Sequence, residues 1–470
     1  MKALFLFIGP LVAAAAGMLA NAYGLPAPAA WTAAITALCA VWWVSEAIPI
    51  PATSLVPIAA LPLVGAIPPP EVGKAYGHPL ILLLTGGFML STALERSGAH
   101  RRLALAMIRL VSAGGRVTGR RLVIGFMLAA AVLSMWVSNA ATTLMLIPIA
   151  LATLGAAGSS GASPRLRNAL LLGVAYAASV AGTMTPIGTP PNLLCINALE
   201  QGPVGEVTFS EWIGWAVPAA LPMLIATALW LTRGLSDETE FNLPEIGRWR
   251  SAEIRTLAVF VATAVLWVTR TEPFGGWSKA LGLVHANDAS VALLAVVAMF
   301  LIPSGDPPKP GEPAPRLLDW PTAVAIPWGM LLLFSGGMVL AQAFTSSGLA
   351  EAISAGMSQL AQLPAPLLLI SLCLSVTFLT EVTSNTATTA LLMPLLATVA
   401  QATDIDPRLL MVPAAISASY AFMLPVATVP NAAVYGAGAD SGAMAREGFV
   451  LNLIGAVLLS MSAWWSFGGG

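Results

Sequence analysis

Apolar stretches long enough to cross a lipid bilayer follow one another along the whole chain. They lie near 3–22, 30–48, 53–66, 122–152, 168–186, 211–232, 254–270, 287–303, 364–397, 408–428 and 447–466, and another opens at 320–327. A plain crossing takes about 20 mostly apolar residues, and inside a bilayer only helices and closed barrels satisfy the backbone. The pattern predicts an all-α polytopic membrane protein with about 11 transmembrane helices. Only 9% of the 470 residues are charged, against about 25% in a soluble domain. The net charge of -1 leaves no footprint for nucleic acid. Cys39, Cys195 and Cys373, and His78, His100 and His285, stand at unrelated spacings, so neither a disulfide framework nor a metal cluster is expected from them. The opening MKALFLFIGPLVAAAAGMLANA has the Lys, apolar run and small residues of a secretory signal. Because apolar segments continue throughout, a retained first helix is the more economical expectation. The longest polar stretches, 233–256 and 303–319, are loop-sized.

Two runs, 122–152 and 364–397, are too long for one plain crossing, and each is interrupted by polar residues: WVSNAATTLMLIP at 136–148 and EVTSNTATTALLMP at 381–394. Helices broken near mid-membrane, around 138–140 and 384–386, account for both features. Irregular backbone at that depth is tolerated where it is buried in protein or lines a water-filled cavity. The segments 76–98 and 328–348 carry Gly86-Gly87 and Gly336-Gly337 at their centres. They read either as re-entrant hairpins turning at the glycines or as ordinary crossings with a small-residue packing face.

The interruptions belong to an internal repeat. Leu82-Leu83-Leu84, Gly86-Gly87 and Ser97-Gly98 recur 250 residues later as Leu332-Leu333-Phe334, Gly336-Gly337 and Ser347-Gly348. Ser138-Asn139, Ala141-Thr142-Thr143 and Pro148 recur 246 residues later as Ser384-Asn385, Ala387-Thr388-Thr389 and Pro394. TPIGTPPN at 185–192 recurs 239 residues later as LPVATVPN at 424–431. Three blocks in one order indicate a duplication. Residues 96–121 carry seven Arg, while 346–367 carry no Lys or Arg. Positive residues favour the cytoplasmic side, so the two copies are expected in opposite orientations, with a site between them near the midplane.

The polar groups in the interruptions are Ser134, Ser138, Asn139 and Thr142 in one half, and Thr380, Thr383, Ser384, Asn385 and Thr386 in the other. The four-residue spacings Ser134/Ser138 and Thr380/Ser384 put hydroxyls on one helix face. Hydroxyl, amide and freed carbonyl oxygens suit a hard cation, and freed N–H groups at a helix start suit an anion. Two such breaks facing each other would grip a dianion from both ends. The Gly188-Thr189-Pro190-Pro191 turn cannot be regular helix, and Val429-Pro430 gives a milder break. Each turn could add a carbonyl to a cation site and a Thr hydroxyl to the substrate.

WWVSEAIPIPATSLVP at 42–57, the two Gly-Gly segments, both Ser-Asn motifs and the GTPPN and VATVPN turns together resemble the divalent anion/sodium symporter family, which carries dicarboxylates, citrate or sulfate. The likeness covers nearly the whole chain. It implies an inverted-repeat transporter with two broken helices, two re-entrant hairpins and a scaffold plus an elevator transport domain, usually a homodimer. By motif it implies one Na+ site at Ser134, Ser138, Asn139 and Gly188 and a second at Thr380, Ser384, Asn385 and Ala427. It further implies a substrate cradle of Ser138, Asn139, Ala140, Thr189, Pro190, Ser384, Asn385, Thr386 and Thr428. The chain departs from the family pattern at Ala140, where a Thr is usual, and at Val429, where a Pro is usual. Ala140 removes one hydroxyl from the anion cradle.

The resulting expectation is a sodium-coupled symporter of a small divalent anion, foremost a C4-dicarboxylate such as succinate. The alternatives are a sodium-independent exchanger and a sulfate or citrate carrier of the same fold. An intramembrane enzyme using Ser138 or Ser384 would need a base, and the motifs contain no His or Lys. The expected organisation is scaffold helices at 1–75, a first repeat core at 76–232, a connecting loop with scaffold helices at 233–327, and a second core at 328–470. The chain is placed in the plasma (inner) membrane with its N-terminus in the cytoplasm. Intramembrane acids are functional candidates. Glu381 leads, with a role in proton or cation coupling; Glu46 is expected at a bend and Asp288 at a helix end. Trp42, Trp43, Trp136 and Trp320 are expected as interfacial anchors or packing groups, and 100–121 as a basic interface helix.

Overall fold

A computed structural model describes residues 2–111, 117–155, 163–235, 240–241, 247–272, 275–308, 313–352 and 364–468. Parts of 100–121 and of the polar stretches 233–256 and 303–319 lie outside the described residues. The first half contains α1 (Lys2–Ala22), α2 (Ala27–Ser45), α3 (Ile50–Leu63), α4 (Pro69–Tyr76), α5 (Pro79–Ser97), α6 (Ala99–Leu110), α7 (Gly119–Ser134), α8 (Asn139–Gly155), α9 (Pro164–Ala181), α10 (Pro190–Glu200) and α11 (Phe209–Thr232). The second contains α12 (Ser251–Val268), α13 (Trp277–Ala280), α14 (Asp288–Leu301), α15 (Trp320–Ala323), α16 (Trp328–Ser346), α17 (Ala365–Thr380), α18 (Asn385–Thr403), α19 (Pro407–Ser417), α20 (Val429–Gly436) and α21 (Ser441–Phe467). Two-residue strands, β1 (Val117–Thr118) and β2 (Glu240–Phe241), pair antiparallel. Among the described residues, eight helical spans are long and apolar enough to cross a membrane. Helix starts follow local chemistry: Pro79, Pro164, Pro190 and Pro407 sit in first turns, and the Ser163, Asp406 and Asp440 side chains cap α9, α19 and α21.

The Gly-Gly segments are corrected by this architecture. α5 and α16 are continuous helices through Gly86-Gly87 and Gly336-Gly337, not re-entrant hairpins. The glycines serve close packing. A Cβ on Gly86 would lie 2.7 Å from Ala292 Cβ in α14, and one on Gly336 would lie 2.5 Å from the Ser54 carbonyl oxygen in α3. This is the small-residue packing face, with the first glycine of each pair at the closest approach.

The hairpins are instead the half-helices flanking the Ser-Asn motifs. At 1.5 Å per residue α7 and α17 reach about 24 Å, short of a bilayer core of about 30 Å. A Cβ on Gly173 of α9 would meet Val123 and Met127 of α7, and Ser134 at the end of α7 bonds Ala178 near the end of α9. α7 and α9 therefore run the same way. Asn139, which opens α8, lies against Gly182 just past α9, and α8 packs along α9 and α7, so α8 turns back. In the second half, Thr377 near the end of α17 bonds the Ser417 carbonyl at the end of α19. The short link 404–406 joins the end of α18 to the start of α19, so α18 also turns back. The expected breaks are thus hairpin tips at 135–138 and 381–384.

The true interrupted crossings are α9–α10, which passes through a 3-10 turn at Gly182–Met184 and unwinds at 185–189, and α19–α20, unwound at 418–428. The end of α20 lies beside the start of α9, where Arg167 donates to the Ala437 carbonyl at 2.9 Å. The end of α10 and the start of α19 line one cavity of about 480 Å³. The two crossings therefore run in opposite directions, as an inverted repeat requires. The halves also interlock. α10 packs on α18 and α19, α20 on α8 and α9, α14 on α5, and α3 on α16. α7–α11 and α17–α21 pack chiefly with one another, while α1–α5, α12, α14 and α16 form a second group. α5 and α16 therefore pack chiefly with the second group, while touching the cores to which 76–98 and 328–348 were expected to belong.

Candidate functional site

Each Ser-Asn serine opens a helix. Ser138 Oγ accepts from Ala141 N at 3.2 Å, and Ser384 Oγ from Ala387 N at 3.4 Å, the N-cap geometry at both tips. In the first tip, Ser134 Oγ lies 2.5 Å from Asn139 Oδ1 and 2.8 Å from the Ala178 carbonyl oxygen. One hydroxyl hydrogen serves two acceptor oxygens, so three oxygens converge on a single hydrogen, a surplus that suits a hard cation. Gly188 completes this cluster. A Cβ there would lie 2.4 Å from the Gly182 carbonyl oxygen and 3.0 Å from that of Ser134, and one on Gly182 would lie 2.2 Å from Asn139 Oδ1. Ser134, Asn139 and Gly188 are brought together; the Ser138 hydroxyl turns to its helix start and is exposed.

The second tip has the same backbone with different side-chain bonding. Thr380 Oγ1 donates back into its own helix, 3.0 Å from the carbonyl oxygens of Val376 and Thr377. Asn385 Oδ1 accepts from Thr386 N at 2.8 Å and from Thr386 Oγ1 at 3.2 Å. Ala427 lies in the facing turn, its N–H on the Leu424 carbonyl at 3.2 Å. No hydrogen bond among the described residues joins Asn385 to Ala427, or one tip to the other.

The turns are held by two asparagines whose importance the sequence signalled only as a repeated PN pair. Asn192 Nδ2 donates to the carbonyls of Gly182 (3.0 Å), Thr183 (3.3 Å) and Thr185 (2.7 Å). Asn431 Nδ2 donates to those of Ala421 and Leu424, both at 3.0 Å. The carbonyls of 182 and 185 recur at 421 and 424, the same 239-residue offset as the asparagines themselves. Among the described residues both side-chain oxygens are buried without a hydrogen-bond partner, as are the Thr142 and Thr143 hydroxyls. Thr428 Oγ1 accepts from Asn431 N at 3.2 Å. Thr189 is a buried N-cap residue and Pro190 starts α10.

Four half-helices, α8, α10, α18 and α20, start at these tips and turns. Leu194 and Ala390, close to the starts of α10 and α18, both face Gly337, so those two helices begin in step. Their N-termini present the positive ends of helix dipoles; at α10 the first two positions are Pro190 and Pro191, which carry no N–H, and Asn192 N is bonded to the Thr189 carbonyl at 3.2 Å. Segments 134–148, 180–197, 376–398 and 418–436 contain no Lys or Arg. A cavity of about 430 Å³ opens beside Pro186 between α5, α10 and α14.

Of the remaining candidates, Glu381 is buried at the second tip. Asp288 is held in an ion pair with Arg270 at 2.7 Å, which also pairs with Glu206 at 2.9 Å. Glu46 closes α2 in the left-handed conformation, φ 47°, at the expected bend. Trp136 packs at the first tip on Phe260 and Trp267, and Trp43 is buried and bonds Ser54 Oγ at 3.1 Å. Trp42 donates to the Phe5 carbonyl, and Trp320 is exposed.

Residues 2–468 match the family model described as the sodium:sulfate symporter transmembrane region. The chain belongs to this symporter family. It is 36% identical to the sodium-dependent dicarboxylate transporter SdcS of Staphylococcus saprophyticus over 97% of this chain and 89% of that protein. It is 35% identical to the SdcS of Staphylococcus aureus strain NCTC 8325, with the same coverage. The crystal structure of the Alcanivorax borkumensis YdaH transporter shares the fold, with TM-score 0.58 and 17% identity over 87% of this chain and 88% of that one. Family membership makes the chain an integral, multi-pass membrane transporter and not an enzyme, which retires the serine-nucleophile reading.

Proposed function

We propose that the protein is a sodium-coupled symporter of a small divalent anion, foremost a C4-dicarboxylate such as succinate. The observation that carries this reading is the pairing of an oxygen-rich cluster at Ser134, Asn139 and Ala178 with helix N-termini at two related tips, in segments without a cationic side chain. Na+ takes the oxygen ligands: Ser134, Ser138, Asn139 and Gly188 at one site, Thr380, Ser384, Asn385 and Ala427 at the other. The anion lies between the tips against Ser138, Asn139, Ala140, Ser384, Asn385 and Thr386, with Thr189, Pro190 and Thr428 beside it. Hydrogen bonds to a charged group are worth about 1.5–3 kcal/mol each, so several replace an arginine clamp, and the bound cations supply the opposing charge. The two relatives named as sodium-dependent dicarboxylate transporters support the choice of ion and substrate.

In this reading α7–α11 and α17–α21 form the moving transport domain. α1–α5, α12, α14 and α16 form the scaffold, through which two copies associate. The motion is an elevator displacement of one group along the other. The arginine-rich segment 96–121 faces the cytoplasm, and the N-terminus lies on that side. Uptake of radiolabelled succinate into proteoliposomes, with and without an inward sodium gradient, tests the proposal. Fumarate, malate, citrate and sulfate serve as competitors. Sodium-driven uptake blocked by C4-dicarboxylates is expected. Uptake driven by internal dicarboxylate and indifferent to sodium would instead establish exchange.

A further inference from the structure

We propose that Glu381 and Asn452 are a positioning pair for the second cation site: a latch that ties the second hairpin tip to the unwound stretch 418–428 and touches neither ion nor substrate. The inference rests on the transport reading above and goes beyond it, because Asn452 lies on the last helix and in none of the repeated motifs.

The geometry is specific. Glu381 is 3% exposed and Asn452 fully buried. Glu381 Oε1 accepts from Met423 N at 2.9 Å and from Asn452 Nδ2 at 2.7 Å, and Oε2 accepts from Leu424 N at 2.9 Å. Asn452 Oδ1 accepts from Phe422 N at 3.2 Å. Three successive backbone N–H groups, 422 to 424, are thus held by two side chains. On its other side Leu424 is held through its carbonyl, which accepts from Asn431 Nδ2 and from Ala427 N. The turn that carries Ala427 is therefore fixed from both directions, and Glu381 supplies the grip from the hairpin tip.

No ion pair involving Glu381 exists among the described residues. A buried carboxylate without a cation is costly unless its oxygens are hydrogen-bonded, and here three donors do so. The equivalent position in the first half is Met135, and the equivalent of Leu424 is Thr185. There the Thr185 hydroxyl donates to the Met135 carbonyl. Both halves tie the same two positions, but only the second does so with a carboxylate. That carboxylate places negative charge and a rigid turn beside the second site, so its removal should weaken that site and leave the first unchanged.

Glu381→Gln keeps the shape and turns one acceptor into a donor that faces other donors. In proteoliposomes containing the full-length protein, this variant should raise the sodium concentration for half-maximal succinate uptake roughly tenfold, the loss of one hydrogen bond to a charged group. It should also flatten the sodium dependence, with maximal rate at saturating sodium staying within roughly twofold of wild type. The double variant Glu381→Gln/Asn452→Asp restores one carboxylate and one matching donor to the pair and should recover most of the lost sodium affinity. Melting temperature without sodium checks folding, and its rise on adding sodium reads ion binding without transport. If Glu381→Gln does not fold, Asn452→Ala, which keeps the carboxylate, should still shift the half-saturating sodium roughly threefold. Wild-type sodium dependence in Glu381→Gln, or in Asn452→Ala, or a double variant no better than the single one, overturns the latch. Absence of sodium-driven uptake in the wild type overturns the transport reading itself.

Discussion

Both hairpin tips reach across to the neighbouring helix, but from different positions: Ser134 bonds the Ala178 carbonyl at 2.8 Å, and Thr377, one turn before the second tip, bonds the equivalent Ser417 carbonyl at 3.4 Å. Ser134 Oγ shares its hydrogen between Asn139 Oδ1 and the Ala178 carbonyl, whereas Thr380 turns back to Val376 and Thr377. The tips differ at two paired positions, Ser134 against Thr380 and Ala140 against Thr386. Thr386 presents both its N–H and its hydroxyl to Asn385 Oδ1. Ala140 has no hydroxyl, and Asn139 Oδ1 accepts from Ser134 instead. The two asparagine oxygens are thus satisfied differently, and the second tip gains a further cross-link from Glu381. Duplicated backbone does not impose duplicated side-chain bonding.

If the backbone is the shared part, the residues that hold it should be equally sensitive in both halves. Asn192→Asp and Asn431→Asp each replace a donor that faces two or three carbonyl oxygens with an acceptor. Each should destabilise the protein by about 3–5 kcal/mol, the scale of an uncompensated buried charge, and abolish succinate uptake. Thermal unfolding in detergent alongside uptake checks this, and a large effect in one half only would break the symmetry. The glycine pairs make the next comparison. Gly86→Ala and Gly336→Ala should each cost about 1–3 kcal/mol through overpacking. Gly87→Ala and Gly337→Ala, whose nearest neighbours would lie at 3.6 and 3.7 Å, should melt close to wild type.

Those glycines also mark a limit of what a sequence can carry. Two glycines in an apolar run fit a re-entrant turn and a close helix crossing equally well. The deciding partners, Ala292 and Ser54, lie far away in the chain. The hairpin tips were legible as interruptions because a helix cannot hold Ser-Asn oxygens for a solute and bond them all locally. Their direction was not legible: an apolar run of two half-helices has the same length whether the second continues or turns back, and only packing against α9 or α19 decides. The match of Asn192 with Asn431 was visible, but the carbonyls they gather appear only once the turns unwind. Glu381 stood out as an acid beside a motif, while its donors, 42 to 71 residues further on, did not.

The two smallest predicted effects bear directly on the tips. Ser134→Ala leaves Asn139 Oδ1 and the Ala178 carbonyl without their hydroxyl donor. It should therefore lower stability in sodium-free buffer by about 1–2 kcal/mol, while Thr380→Val, which keeps the buried volume and loses only a bond within its own helix, should not. Equal melting temperatures for the two would mean that the brace at Ser134 contributes nothing before an ion binds.

Ala140→Thr should make the first tip resemble the second. Its hydroxyl can donate to Asn139 Oδ1 as Thr386 does to Asn385, in competition with Ser134. One neutral hydrogen bond is worth about 1 kcal/mol, so the half-saturating sodium concentration should change by roughly fivefold at most. Affinity for the dianion should change as well, because a hydroxyl is added to the cradle. Combining Ala140→Thr with Ser134→Ala separates the two contributions. If the hydroxyl at 140 takes over Asn139 Oδ1, the double variant should lose less sodium affinity than the two single effects together, because one bond cannot be lost twice. Strict additivity would show that Asn139 does not choose between these partners, and that the asymmetry of the tips arises elsewhere.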